Sequence, residues 1–132
     1  EPDIAYAYLF SHFRGEEWRT QKETRRLLDK YFTTAPDGIP GNDDTGTMSA
    51  WAVFTMLGLY PDCPGEPYYT LTAPVFDRAE IDTDGGTLVI EKRGEGYIRK
   101  MTLGDKPLTK YRVGHDELLR GGKLTFELKN ER

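Results

Sequence analysis

The sequence predicts an α+β fold, because its texture changes near residue 65. Before that point, apolar residues recur at helical spacing. After it, short runs rich in β-branched and aromatic residues alternate with glycine turns. Between them lies "YPDCPGEP", residues 60–67, whose three prolines read as a linker.

The helical half divides into three. "DIAYAYLFSHF" places Ile4, Tyr6, Tyr8, Leu9, Phe10 and Phe13 at helical spacing, and Gly15 can end that helix. "EEWRTQKETRRLLDKYF" follows, with Glu16 and Glu17 where they favour the helix dipole. Trp18, Leu27, Leu28, Tyr31 and Phe32 form its expected buried stripe. A third helix is expected over about residues 48–58, "MSAWAVFTMLG", apolar almost all round and therefore buried on most sides. Three helices, one of them buried, call for more helical partners than the chain supplies, so it reads as a fragment. The opening Glu-Pro, without a basic leader, suits the same reading.

In the second half, "YYTLTAP", "VFDRAEI", "TLVIEKR", "YIRKMTL", "KYRV" and "KLTFEL" read as strands. Turn signals at Asp84-Gly85-Gly86, Gly94-Glu95-Gly96 and Gly104-Asp105 separate them, which suggests a small antiparallel sheet or sandwich. A brief helix at "HDELLRG" interrupts the series.

Charge and length exclude several functions. With 132 residues and a net charge of −4, the chain lacks the basic footprint of a nucleic-acid surface. No apolar run approaches the roughly 20 residues that cross a bilayer. The lone Cys63 allows no internal disulfide and no cysteine-based zinc cluster, and no basic partner near it in sequence marks it as a nucleophile.

Chemistry concentrates in the loop "PDGIPGNDDTGT", residues 36–47. Pro40 and Gly41 impose a sharply turned backbone on the adjacent acids Asp43 and Asp44. One reading makes Asp43, Asp44 and Thr45 caps of the helix that follows. The other makes the acids a catalytic or metal site, since adjacent carboxylates repel unless water, a cation or a shared proton relieves them. The spacing does not match an EF-hand calcium loop. Periodicity leaves both readings open. His12 and His115 suit structural roles, and Trp51, Tyr60, Tyr68 and Tyr69 suit packing better than sugar stacking.

The run "PDGIPGNDDTGTMSAWAVFTMLGLYPDCPGEPYY" resembles the C-terminal signature of glycoside hydrolase family 92, the calcium-dependent exo-α-mannosidases. "EPDIAYAYLF", "WRTQ" and "YRVGHDELLRGGKLTFEL" resemble further segments of that family, so the likeness spans the chain. The resemblance implies inverting hydrolysis of terminal α-linked mannose, α-1,2 in the first instance, from a mannose-containing glycan. It implies Asp44 as general base, Asn42 beside it holding the attacking water, Asp43 on a calcium ion and Glu1 near the sugar. Some relatives carry an acid where Asn42 stands; an amide cannot share base duty, which leaves Asp44 alone in it. Ala5 stands where the family often has His, in a segment that shapes the leaving-group site.

By the same resemblance, residues 1–62 are the last helices of an (α/α)6 toroid and 66–132 a C-terminal β-sheet domain. The general acid belongs to the missing N-terminal part of the enzyme, so the fragment alone is expected to be inactive. A secreted or periplasmic parent is implied. The rival is a non-catalytic carbohydrate-binding or structural β module, in which both acids bond helix N–H groups and the sheet bears an aromatic platform. A stand-alone calcium-binding domain needs more oxygen ligands than this loop offers.

Overall fold

A computed structural model describes residues 2–131 as an α+β fold. A 3₁₀ helix, Tyr6–His12, leads into α1 (Glu17–Tyr31) and α2 (Thr47–Leu57). The strands are β1 (Leu59–Tyr60), β2 (Tyr68–Leu71), β3 (Arg78–Thr83), β4 (Gly86–Arg93), β5 (Tyr97–Leu103), β6 (Lys106–Pro107), β7 (Arg112–Gly114) and β8 (Gly122–Lys129). A one-turn helix α3 (His115–Leu119) precedes β8. None of the described helices is long and apolar enough to cross a membrane.

The expected strand segments all appear, but they sort into two sheets, β1-β2-β7 and β3-β4-β8-β5-β6. The second sheet is mixed rather than wholly antiparallel. Strand β8 returns through α3 and inserts between β4 and β5, parallel to β4, with Leu88 opposite Gly122. Turn signals report which strands are consecutive, whereas this neighbour depends on where the chain re-enters the sheet. The stretch 61–67, expected as a linker, is the loop of the β1–β2 hairpin.

The sheets close over Leu71, Ile90, Val113, Leu124 and Phe126, all fully buried. A second core gathers Tyr8, Leu28, Trp51 and Ala52. Helix α2 belongs to both: Trp51 and Ala52 sit in the second, while Phe54 and Leu57 pack on the first. Gly58 ends α2 in the left-handed region, its N–H donating back to Phe54 and Thr55 carbonyls.

Three helical expectations need correction. The first segment is a seven-residue 3₁₀ helix, not an α-helix reaching Gly15. It lacks a side-chain cap and is crowded with aromatics of middling helix propensity. Helix α1 turns Thr20, Gln21 and Thr24 inward beside Leu28, while Tyr31 is 40% exposed. That face meets polar groups: Gln21 Oε1 accepts the Ile98 N–H at 2.8 Å, and the Thr24 and Thr72 hydroxyls bond at 3.1 Å. Helix α2 is buried along only part of its surface, and Val53 is 52% exposed.

Asp62, whose side chain is only 2% exposed, ties the helices to the smaller sheet. Its carboxylate accepts from Thr70 Oγ1 at 2.6 Å and contacts His12 Nε2 at 2.7 Å. Arg112 reaches His12 Nδ1 at 2.8 Å. Arginine can only donate, so His12 is the Nε2–H tautomer, accepting from Arg112 and donating to Asp62.

Gln21→Ala strands the buried Ile98 amide, and we expect a loss of about 1–3 kcal/mol. Denaturant unfolding, with faster hydrogen exchange at Ile98, checks it. Burial pushes the Tyr8 phenol well above its ordinary range, against the smaller opposing effect of its bond to Thr55. The folded state therefore keeps a proton that the unfolded chain releases above about pH 10. This part of the stability is present below that pH and falls by about 1.4 kcal/mol per pH unit above it. Tyr8→Phe should flatten the alkaline loss in unfolding curves.

Candidate active site

The acidic loop runs from the end of α1 to the start of α2. Gly38 anchors its first half: Thr33 N–H donates to Gly38 O and Gly38 N–H to Ala35 O, each at 2.9 Å. A Cβ on Gly38 would stand 2.2 Å from the Thr33 carbonyl oxygen, so only glycine fits. An open concavity of about 450 Å³ lies against this half, lined by Thr33, Asp37, Ile39, Gly41 and Asp43 among others.

The second half is wound left-handed. Asp44, Thr45 and Gly46 have φ of 48°, 63° and 90°. Aspartate tolerates that region and glycine prefers it, but a β-branched threonine is a marked outlier there. Each L-residue so placed costs about 1–2 kcal/mol. Such strain persists where surrounding bonds over-determine the backbone, and it clusters at functional sites.

Those bonds come from the N-terminus of α2, whose first amides have no intrahelical acceptors. Thr47 N–H donates to Asp44 O at 3.3 Å, and Thr47 Oγ1 to the same oxygen at 2.7 Å. Met48 N–H donates to Asp43 O at 3.2 Å. Ser49 N–H donates to Asp43 Oδ1 at 2.8 Å, and Ser49 Oγ to Asp43 Oδ2 at 2.9 Å. The two acids therefore divide their labour. Asp43 caps the helix with Oδ1, as a side chain at Gly46 would if glycine had one, while its Oδ2 takes the Ser49 hydroxyl. Asp44 caps it with its backbone carbonyl alone. Its carboxylate is exposed and bonds no described residue, as does the side chain of neighbouring Asn42.

The calcium assignment meets a different donor set. Calcium takes about six to eight oxygens. Among the described residues no three His, Cys, Asp or Glu side chains gather as a metal cluster, and both Asp43 oxygens already accept from Ser49. The loop does not by itself fit the ion. Glu1, expected near substrate, lies outside the described residues.

Other candidates have structural places. Trp51 is 3% exposed and stacks on Phe32 at 5.4 Å. His115 Nδ1 shares a 2.9 Å hydrogen bond with the Tyr69 hydroxyl. Beyond β2, the exposed large hydrophobics among the described residues are Phe76 and Leu119, which make no aromatic platform. Sequence reading missed Ser49, Thr47 and Gly38. A Ser six residues after an Asp at a helix start was the available signal, but it specifies a partner only once the left-handed turn is known.

The family profile described as the glycosyl hydrolase family 92 catalytic domain matches residues 1–130. A secreted glycosidase of Arthroderma benhamiae is 32% identical over 99% of this chain and 18% of its own length. An α-mannosidase of the family from Bacteroides thetaiotaomicron, solved with mannoimidazole, superposes with a TM-score of 0.91 at 28% identity, over 99% of this chain and 18% of that one. An inverting mannosidase from the same organism superposes at 0.85 with 32% identity, over 98% and 18%. These define a glycosidase fold with mannosidases among its neighbours. The chain belongs to glycoside hydrolase family 92. It spans about a fifth of the length of the relatives it matches.

Opposite stability shifts are expected at two loop positions. Gly38→Ala should destabilise by at least about 2 kcal/mol through overlap with Thr33 O. Thr45→Gly should stabilise by about 1 kcal/mol through relief of the left-handed backbone. Thermal melting of both variants reads the two signs.

Proposed function

We propose that these residues are part of an inverting exo-α-mannosidase that removes terminal α-linked mannose from glycans, with Asp44 as its general base. The observation that carries this reading is the division at the loop. Both carboxylate oxygens of Asp43 are engaged by Ser49 and the Asp43 and Asp44 carbonyls by helix amides, while the Asp44 carboxylate is left over, exposed, on a strained and well-bonded turn. A base needs that combination of unspent lone pairs and a fixed origin.

In such an enzyme Asp44 takes a proton from a water as the water's oxygen bonds the anomeric carbon. The glycosidic C–O bond breaks at the same time, and the leaving oxygen takes a proton from a general acid. Inversion needs the two carboxyl groups about 6.5–9.5 Å apart, so that water fits between base and sugar. Asn42, also exposed, offers an amide that can hold that water while leaving proton transfer to Asp44. The acid is expected in the preceding part of the polypeptide, where the rest of an (α/α) toroid would also lie, so this chain by itself is expected to be inactive.

Calcium dependence belongs to the complete enzyme in this proposal, with oxygens from outside the described residues building the site. The name of the Arthroderma relative favours a secreted home. The β-module alternative asks both acids to cap and the sheet to present aromatics; Asp43 alone meets the first condition with its side chain.

The test is mannose release from an α-1,2-linked mannobiose by the complete enzyme. Asp44→Asn should lower kcat about a hundred- to ten-thousand-fold. A chelated sample should lose activity and regain it with added calcium. Full activity in Asp44→Asn would remove this residue from the chemistry.

A further inference from the structure

We propose that Ser49 is the positioning residue for the Asp44 carboxylate, acting through Asp43, and that Asp43 is a clamp of the loop and not a metal ligand. The inference rests on the reading of Asp44 as general base and adds what aims it.

The geometry is a two-point grip. One residue on the first turn of α2 presents both its N–H and its hydroxyl to the two oxygens of one carboxylate, at 2.8 and 2.9 Å. Donors meeting an ionised carboxylate make stronger hydrogen bonds than neutral pairs, and two at once fix orientation as well as distance. In a usual capping box the third helical residue is Glu or Gln, and its side chain accepts from the cap's backbone. Here that third position is Ser49, and its side chain donates instead to an acid lying outside the helix.

The consequence falls on the next residue. Asp43 is held by its side chain and, through its carbonyl, by Met48 N–H. On the other side Asp44 O is held by Thr47. The peptide units flanking Asp44 are thus tied to α2, which lets its φ of 48° persist beside Thr45 at 63°. Without the hydroxyl of Ser49, one of the three hydrogen bonds on Asp43 is lost and the left-handed turn can relax. The Asp44 carboxylate then leaves its line to the attacking water. A misplacement of about 1 Å can cost about a hundredfold in rate.

The same contacts decide what Asp43 does. One lone pair of each Asp43 oxygen is committed to a Ser49 donor, and among the described residues no cluster of three His, Cys, Asp or Glu side chains stands there to complete a cation's shell.

The experiment uses the complete enzyme and four variants, with kcat and KM measured on α-1,2-mannobiose beside melting temperature. Ser49→Val and Ser49→Thr have the same shape and differ in the hydroxyl. We expect Ser49→Val to lower kcat about 10- to 100-fold with KM within about twofold. Ser49→Thr should restore most of the rate. Asp43→Asn keeps an acceptor for Ser49 N–H and can donate to Ser49 Oγ, so whatever rate it retains, its calcium titration should match that of the wild type.

Wild-type kcat in Ser49→Val overturns the positioning role, and so does equal loss in the Val and Thr variants. An Asp43→Asn enzyme whose lost activity returns with excess calcium overturns the clamp assignment. Asp44→Asn separates the two levels. If it is inactive while Ser49→Val is normal, only this inference falls; if it is active, the base reading beneath it falls.

Discussion

The first amides of α2 need acceptors, and Asp43 and Asp44 supply three of them from two consecutive residues. Meeting that need winds the chain left-handed through Asp44, Thr45 and Gly46, at a cost ordinary loops avoid. The loop's shape, the direction of α2 and the unspent carboxylate of Asp44 all follow from it.

Helix α2 carries this constraint into both cores. Trp51 packs against Phe32 and edge-on to Tyr8, so the loop's exit is fixed relative to α1 and the 3₁₀ helix. Phe54 and Leu57 pack on the sheet core, and Thr72 N–H donates to Gly58 O at 2.9 Å just past the helix end. The helix is thus tied at both termini, as a scaffold must be if a carboxylate on its lip is to keep one position. Aromatic contacts, Tyr8 on Tyr60 and Trp18 edge-on to Tyr97, and polar ones, Gln21 to Ile98, Thr24 to Thr72 and His12 between Asp62 and Arg112, complete the helix–sheet contact. The buried pairs among them, Gln21 with Ile98 and Thr24 with Thr72, specify one arrangement more sharply than apolar contact, because a mispairing leaves a group without its hydrogen bond.

Exposed apolar side chains gather on the helical side. Tyr6, Leu9, Phe13, Tyr31 and Val53 are all substantially exposed. A face of that composition suits coverage by further helices. The family relatives, about five times longer than this chain, contain ample polypeptide for that role.

Much of the fold was legible in the sequence. Period-two alternation marked "TLVIEKR" and "KLTFEL" as strands, and glycine pairs marked the turns, because strand formation and tight turns depend on neighbours along the chain. Helices α1 and α2 were legible from the spacing of their apolar residues. The buried face of α1 was not, since Thr20, Gln21 and Thr24 look like a solvent face until Thr72 and Ile98 come opposite them. The parallel β4–β8 pairing was likewise hidden, being set by a path through α3 and not by a local turn.

At the site, the sequence by itself determined that two carboxylates sit on a stiff loop at a helix mouth, and its long motif determined the family. Which carboxylate is spent on the helix and which is left over was decided only in three dimensions. The reason is physical: capping depends on φ and on a donor six residues away, and neither Asp43 nor Asp44 carries that information in its own identity.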